Sequence, residues 1–328
     1  MIKRFFAVLM TLVIVTAAVL PASAATVSKT ASAVRTYIIR NFNTAETPEQ
    51  RFFLAAVGVM TQTDFPEVTQ EESALVSAQT ILCKLAVRKA EEKETAILAA
   101  KQQDDGSFGD LISTLYSVIA LTAAKQDFSS EKAVKYILSH QQEDGAFDSD
   151  LVLTARAVTV LCYFRQDAKV NSAVDKALGY ILSEKKEDGS YGNGECPTTA
   201  MIMTAVCDAG LSPNTGDWSG LEKLLLNYQR KDGSFIKPNV TAETAKTEDL
   251  VADKDSTLMA YMAFDAAERG GNSVYLRLME DGQVAKVHLE NIKYGLVAYG
   301  VFAVAAVVFW IVIFVRKPNK NKKEQQNF

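Results

Sequence analysis

Acidic side chains recur just before the most apolar helical segments of this sequence, and they are its best candidates for chemistry. A carboxyl group there can transfer a proton, attract a cation or a divalent metal, or accept hydrogen bonds from the free amides of a helix N-terminus. The acids at these points, which we take as candidates to line a binding mouth, are Asp110, Asp148, Asp150, Glu195, Glu248, Asp249, Asp253 and Asp255. Their roles depend on the elements that position them.

Histidine and cysteine are too few to predict a second kind of site. The chain has two histidines and four cysteines in 328 residues, which excludes a disulfide scaffold and leaves little room for a histidine-rich metal site. Cys162 and Cys207 occupy the same register of neighbouring apolar segments. Because parallel helices pack about 8–10 Å apart and a disulfide needs Cα atoms within about 7 Å, we expect both to be buried free thiols. The sequence assigns no cofactor.

An internal repeat organises the middle of the chain. Four segments share the pattern Gln-x-x-Asp-Gly-small-aromatic, with Lys185 replacing Gln in the third, and their Asp-Gly pairs are 39, 44 and 44 residues apart. The motif residues are Gln102, Asp105, Gly106 and Phe108; Gln141, Asp144, Gly145 and Phe147; Asp188, Gly189 and Tyr191; and Gln229, Asp232, Gly233 and Phe235. Each motif follows an amphipathic segment and precedes a mostly apolar one that begins at a threonine, so each repeat is predicted to be a pair of helices.

The chemistry of the motif residues explains a structural role for each. Glycine supplies the positive φ that ends the first helix, aspartate bonds its own turn, the aromatic ring fills the gap between neighbouring helix pairs, and glutamine ties free backbone groups at the helix end. We therefore interpret these aspartates as turn formers. With helical patterns over 29–41, 47–59, 71–89 and 90–103 we expect about eleven helices, whereas the alternation over 274–288 predicts a small β-hairpin.

The repeat resembles that of the α/α toroid family, which includes terpenoid cyclases such as squalene–hopene cyclases, protein prenyltransferase β subunits, complement thioester domains and cobalamin-carrier proteins. The copy over 132–147 is similar to the cyclase Gln-Trp motif with Phe in place of Trp, and the likeness covers about residues 30–268. The resemblance implies an all-α barrel of two-helix repeats, with the more apolar helices in an inner ring and the others in an outer ring. It also implies that the loops after the Asp-Gly turns gather at one mouth, where the acids named above converge.

Each branch of the family carries its own site, so the resemblance leaves the activity open. Residues 253–257 (Asp-Lys-Asp-Ser-Thr) stand where a class II cyclase has Asp-x-Asp-Asp-Thr, which would make Asp255 the proton donor and Asp253 its partner, with one acid fewer than the cyclases have. The alternative is that Asp255 caps the helix that follows, as Asp110 and Asp150 would cap theirs.

Two other branches of the family are compared with the chain in the same way. A prenyltransferase-like zinc site would use Cys196 with an Asp and a His, but His140 falls on an outer helix and His288 lies in the predicted hairpin, so we expect Cys196 to be a small buried thiol. A corrinoid, as in the carrier branch, would lie across the toroid mouth.

The two ends of the chain predict its location. Residues 1–24, with a basic start, an apolar run and an Ala-x-Ala end, are typical of a signal peptide. Residues 294–315 carry no charge and are long enough to span a bilayer, and the basic tail 316–328 fits the positive-inside rule. We therefore expect a toroid over 25–270 and a hairpin spacer over 271–293 outside the cytoplasm, with the tail inside.

Charge and composition narrow the function classes. Residues 25–315 hold 28 Lys and Arg against 38 Asp and Glu, a net charge of about −10 that disfavours nucleic-acid binding. We expect a binding module on a bacterial cell surface for an unknown small ligand or surface protein. The alternatives are a terpenoid cyclase-like or prenyltransferase-like enzyme using Asp255, a corrinoid carrier, and a structural spacer. The central cavity separates them, because a cyclase needs an apolar pocket of about 300–1,000 Å³, whereas the few aromatic residues here favour a filled axis.

Overall fold

A computed structural model describes residues 22–59, 65–237 and 250–282, with side chains described from residue 29. Twelve α-helices lie in these ranges, and no strand does, so the prediction of an all-α fold is confirmed. The first six are α1 Ala22–Asn41, α2 Pro48–Val57, α3 Ala74–Ala86, α4 Glu92–Ala99, α5 Leu111–Ala124 and α6 Ser130–Ser139. The others are α7 Leu151–Cys162, α8 Ala168–Ser183, α9 Cys196–Asp208, α10 Leu221–Leu226, α11 Lys254–Glu268 and α12 Val274–Asp281.

The first eleven helices match the eleven that the sequence predicts. The Asp-Gly motifs join α4 to α5, α6 to α7, α8 to α9 and α10 to α11, and the second helix of each pair is the more buried. Among the buried helices, α2 contacts α3, α3 contacts α5, α5 contacts α7, α7 contacts α9, and α9 contacts α11. Helix α11 contacts both α1 and α2 as well, so the last repeat touches the beginning of the helical body.

The Asp-Gly turns have the geometry that the sequence predicts. All four glycines have positive φ, between 84° and 99°. In each turn the aspartate Oδ1 accepts the backbone N–H of the residue two positions later, at 2.9–3.0 Å. The four motif aromatic residues are at most 4% exposed, which confirms their filling role.

Threonines near the start of the apolar helices form hydrogen bonds with the motif aromatic residues. The sequence pattern shows these threonines but does not reveal their role. The backbone N–H groups of Phe108, Phe147 and Phe235 donate to the hydroxyl oxygens of Thr114, Thr154 and Thr257 at 2.9–3.0 Å. Each hydroxyl in turn donates to the carbonyl four residues back, at 2.6–2.8 Å. The threonine therefore ties the aromatic residue to the helix that follows it.

The predicted β-hairpin is wrong where the structure describes it. Residues 274–281 form α12, with Ser273 Oγ accepting the Leu276 N–H at 3.2 Å and Gly282 ending the helix at φ 67°. The alternation of apolar and polar residues suggested a strand in which Arg277 points outward. In the structure Arg277 is 6% exposed and pairs with Asp265 at 2.6 Å, so the polar position is buried. The rest of the predicted hairpin lies outside the described residues.

The predicted signal peptide, membrane span and basic tail fall almost wholly outside the described residues. Helix α1 begins at Ala22 and so includes the predicted cleavage point. Among the described helices, none combines the length and the apolar character needed to cross a bilayer.

Candidate binding site at the helix N-termini

Three of the predicted mouth acids serve as helix caps. Asp110, Asp150 and Asp253 each accept a hydrogen bond at 2.8 Å from the backbone N–H three residues later, at the starts of α5, α7 and α11. The capping predicted for Asp110 and Asp150 is therefore confirmed. Because one carboxylate oxygen of each is committed to its own helix, these acids are poorer candidates to contact a partner.

Asp255 is neither a helix cap nor an enclosed proton donor, the two roles that the sequence suggests for it. The prediction that it caps the last inner helix is wrong, because Asp253 provides that cap and Asp255 lies in the first turn of α11. Its carboxylate is exposed and accepts a hydrogen bond from Gln50 Nε2 at 2.7 Å. A carboxyl that protonates an alkene needs an enclosed apolar site, and this one faces solvent.

The remaining mouth acids differ in their use. Asp148 is 43% exposed and contacts His140 Nδ1 at 2.8 Å. Glu195 stands at the N-cap position of α9 without a capping hydrogen bond from its side chain. Asp249 and Glu248 lie outside the described residues. Within the ranges that the structure describes, no group of three or more His, Cys, Asp or Glu side chains could hold a metal ion.

A partly buried cluster of Arg156, Glu49 and Tyr116, which sequence reasoning missed, lies near the N-terminal ends of α2, α5 and α7. Arg156 of α7 donates to Glu49 Oε1 at 2.9 Å and also to the Tyr116 hydroxyl, which itself donates to Glu49. The guanidinium carbon lies 5.2 Å from the Tyr116 ring centroid. Burial raises the pKa of Tyr116, the Arg156 guanidinium opposes the rise and the Glu49 carboxylate adds to it. The hydroxyl therefore stays protonated and acts as a donor. The signal was present in the sequence, since Arg156 is the single charged residue of an otherwise apolar helix.

Tyr275 of α12 packs against Tyr116 of this cluster and is 3% exposed. Its ring centroid is 5.4 Å from that of Phe52 and 6.3 Å from that of Tyr116, which are edge-to-face and tilted aromatic contacts. The cavity between Tyr275, Tyr116, Arg156 and Met201 measures about 10 Å³. That is about the space of one water molecule, far below what a small organic substrate needs.

Charged groups at the C-terminal ends of α9 and α11 hold α12 in place. Asp265 of α11 pairs with Arg277 at 2.6 Å and with Arg269 at 3.0 Å. Asp208, at the end of α9, accepts the Ser273 N–H at 2.7 Å. Burial raises the pKa of the Asp208 carboxyl to about 7, and its hydrogen bonds from Ser273 limit the rise. The contact between α9 and the start of α12 therefore includes a carboxyl whose pKa lies near neutral pH.

The cysteines are free thiols, as predicted. Cys83, Cys196 and Cys207 are buried, whereas Cys162 is only half-buried. Burial raises the pKa of the Cys83, Cys162 and Cys207 thiols to about 12, so these groups are poor nucleophiles at neutral pH.

Comparison with models of known protein families finds no match, and a search of the curated proteins finds no relative.

Proposed function

We propose that this chain is a membrane-anchored binding module, with an α/α toroid outside the cytoplasm that recognises a partner at the mouth formed by the inner-helix N-termini. A closed ring is supported by the position of the fourth Asp-Gly turn, which packs against α1. A Cβ atom built on Gly233 would lie 3.2 Å from the Ala33 carbonyl oxygen of α1, much as one on Gly106 would approach the backbone of Lys132 in α6. Helix α1 thus takes the place of the next outer helix after the fourth repeat. Closure of this kind removes the exposed end repeats that an open solenoid must cap.

The small size of the cavity beside Tyr275 supports the proposal of binding over catalysis. Tyr275 leaves about 10 Å³ where a cyclase would need an apolar chamber on the order of 300–1,000 Å³. Asp255, the acid that the cyclase alternative requires, is exposed and bonded to Gln50. A toroid without a central chamber still has a rim, and the acids that do not cap a helix lie on that rim.

The charges left at the mouth define the partner's chemistry. After the caps are set aside, Asp148, Asp255, Glu195 and Glu46 are at least partly open to solvent, with Glu46 75% exposed. Lys254, which is adjacent to Asp255 in sequence, pairs with Glu46 at 2.9 Å. Acids outnumber bases on this rim, so we propose a cationic ligand or a basic patch of another surface protein.

Site-specific photo-crosslinking tests the mouth directly. A photoreactive phenylalanine would replace Asp148 or Asp255 in the full chain, expressed in its membrane. A control would replace Glu131, an exposed acid in the first turn of α6 that is not one of the predicted mouth acids. We expect the same adduct from both mouth positions and none from the control. Adducts that form equally from Glu131, or from no position, would remove the mouth as a binding site. A bound corrinoid in native mass spectrometry of the intact protein would instead favour the carrier alternative.

The membrane anchor is tested separately. We propose cleavage after residue 24, a span over 294–315 and a cytoplasmic tail over 316–328. Cysteines introduced singly at Ser32 and Asn327 of the full chain should differ in reaction with an impermeant maleimide on intact cells, the first labelled and the second protected. The reverse pattern, or equal labelling, contradicts this topology and leaves the mouth experiment unaffected.

A further inference from the structure

The third Asp-Gly turn departs from the other copies at two positions that meet in space. In the second copy, the turn glycine Gly145 is seated on the next outer helix, where a Cβ atom would lie 2.3 Å from the Lys176 carbonyl oxygen. The residue 44 positions after Lys176 is Gly220, which has φ 89° and precedes the short helix α10. A Cβ on Gly189 meets no atom closer than Lys185 Cε at 4.0 Å. The outer helix therefore does not close over the third turn.

A cleft of about 290 Å³ occupies the gap that these changes leave. The third turn forms one wall, with Lys185 and Gly189, and the start of α10 forms the other, with Gly220 and Lys223. Tyr191 is 1% exposed and lies at the base. The volume is at the lower end of the range for small-molecule sites, so the cleft fits a compact ligand.

The cleft carries two ammonium groups, those of Lys185 and Lys223, that have no partner in the described part of the chain. Gln141 of the second copy donates to the carbonyl oxygens of Gly145 and Ala173 at 3.2 and 2.8 Å, and Lys185 replaces it in the third. Among the described residues, neither Lys185 nor Lys223 forms a side-chain hydrogen bond or an ion pair. Asp188, the one acid in the lining, is committed to Ser190, whose N–H and hydroxyl both donate to it, at 2.9 and 2.7 Å.

We propose that this cleft binds a small organic phosphate, held between the Lys185 and Lys223 ammonium groups. Lysine binds phosphate as a compact point charge with three donors, and two lysines on opposite walls can neutralise a dianion. The bare glycine backbones on both walls let a ligand approach without side-chain obstruction. The site is separate from the mouth, and the inference does not depend on the proposed function.

Selective labelling of glycine makes a direct test possible. The chain has 17 glycines, so the ¹⁵N-glycine spectrum of the full-length protein in detergent micelles is sparse. On titration with glycerol 3-phosphate, we expect saturable shifts of Gly189 and Gly220 and no shift of the buried turn glycines Gly106 and Gly145. Lys185→Gln and Lys223→Gln should each weaken binding about tenfold. Lys186→Gln, which removes an exposed lysine that does not line the cleft, should leave it unchanged.

The controls separate a site from general charge attraction. Glycerol should produce no shift, and Gln141→Lys, which adds the same lysine to the closed second copy, should create no new binding. Equal losses in Lys185→Gln and Lys186→Gln, shifts spread over all the turn glycines, or a titration that does not saturate would each overturn the proposal. Inorganic phosphate that saturates the same glycines supports the phosphate chemistry, and binding of phosphatidylglycerol vesicles without binding of the soluble probe overturns the assignment to a small ligand.

Discussion

The second and third repeats share the Asp-Gly turn and the Lys-Ala-x-x-Tyr-Ile-Leu stretch of the helix before it, and they differ in the contacts that their turns make. In the second, Gly145 lies against the backbone of α8, Gln141 ties the turn to Ala173, and Asp150 caps the next helix. In the third, Gly189 faces a cleft, a lysine replaces the glutamine, and Glu195 makes no cap hydrogen bond. The same motif can therefore act as a structural clamp in one copy and leave an accessible surface in the next, because its contacts depend on the helix that follows.

The largest difference should come from adding a methyl group to the two turn glycines. Gly145→Ala places a Cβ within 2.3 Å of the Lys176 carbonyl oxygen at φ 99°, so we expect a loss of about 3–5 kcal/mol in the free energy of unfolding. Gly189→Ala has only the strain of a left-handed backbone, about 1–2 kcal/mol. Urea denaturation of the two full-length variants, followed by circular dichroism, measures both. Equal losses would show that the third turn is as tightly packed as the second.

A smaller contrast is expected at the helix caps. Asp150→Ala removes the acceptor for the Leu153 N–H and should cost about 1–2 kcal/mol. Glu195→Ala removes a side chain that makes no cap bond, so its change should stay within about 0.5 kcal/mol. The same denaturation measurement applies, and a loss at Glu195 as large as that at Asp150 would place an unrecognised contact in the third copy.

A smaller difference in the free energy of unfolding is expected at the first position of the motif, which is Gln141 in the second repeat and Lys185 in the third. Gln141→Ala removes two hydrogen bonds to backbone carbonyls and should cost about 1 kcal/mol. Lys185→Ala should change the free energy of unfolding by less than about 0.5 kcal/mol, since the ammonium has no partner in the described structure. If Lys185→Ala is the more destabilising, the cleft is stabilised by that lysine rather than left open for a ligand.

A further prediction is a pH dependence of the stability that arises at Asp208, at the end of the third repeat. Burial raises the pKa of Asp208 to about 7 in the folded chain from 3.8, so the neutral carboxyl is favoured by folding. This contribution is fully present below about pH 4, declines as pH rises, and is lost above about pH 7. Asp208→Asn should flatten the fall in stability across this window, as measured by thermal unfolding at several pH values. Tyr163 follows Cys162 as Asp208 follows Cys207 and so occupies the equivalent position of the second repeat. Tyr163→Phe should therefore leave the pH dependence intact. An unchanged profile in Asp208→Asn would show that another group titrates there.

Much of the fold could be predicted because its signals are local. Glycine, aspartate and an aromatic residue at fixed spacing specify a turn with a buried plug, and apolar periodicity specifies the helices on either side. Eleven helices and two of the caps follow from such patterns. The missed helix α12 is eight residues long, too short for its period to outweigh an apparent alternation.

The site was less accessible to sequence reasoning because its residues are far apart in the chain. Glu49, Tyr116 and Arg156 come from three helices, and Gln50 reaches Asp255 across 205 positions. Nothing in the local pattern distinguishes Asp253 from Asp255 as the cap of α11. Only the backbone geometry at the helix start makes that choice, since a capping side chain must fold back onto an amide three residues later.

The sequence by itself determined the helical repeats, their turns and the free thiols, because each of these follows from contacts within a few residues or from composition. Only the tertiary structure decided that Tyr275 packs against Phe52 and Tyr116, that the fourth turn lies against α1 and that the third turn lines a cleft. The physical reason is that packing depends on which backbone lies opposite: Gly145 meets the carbonyl of Lys176, and Gly189 meets a gap beside Gly220.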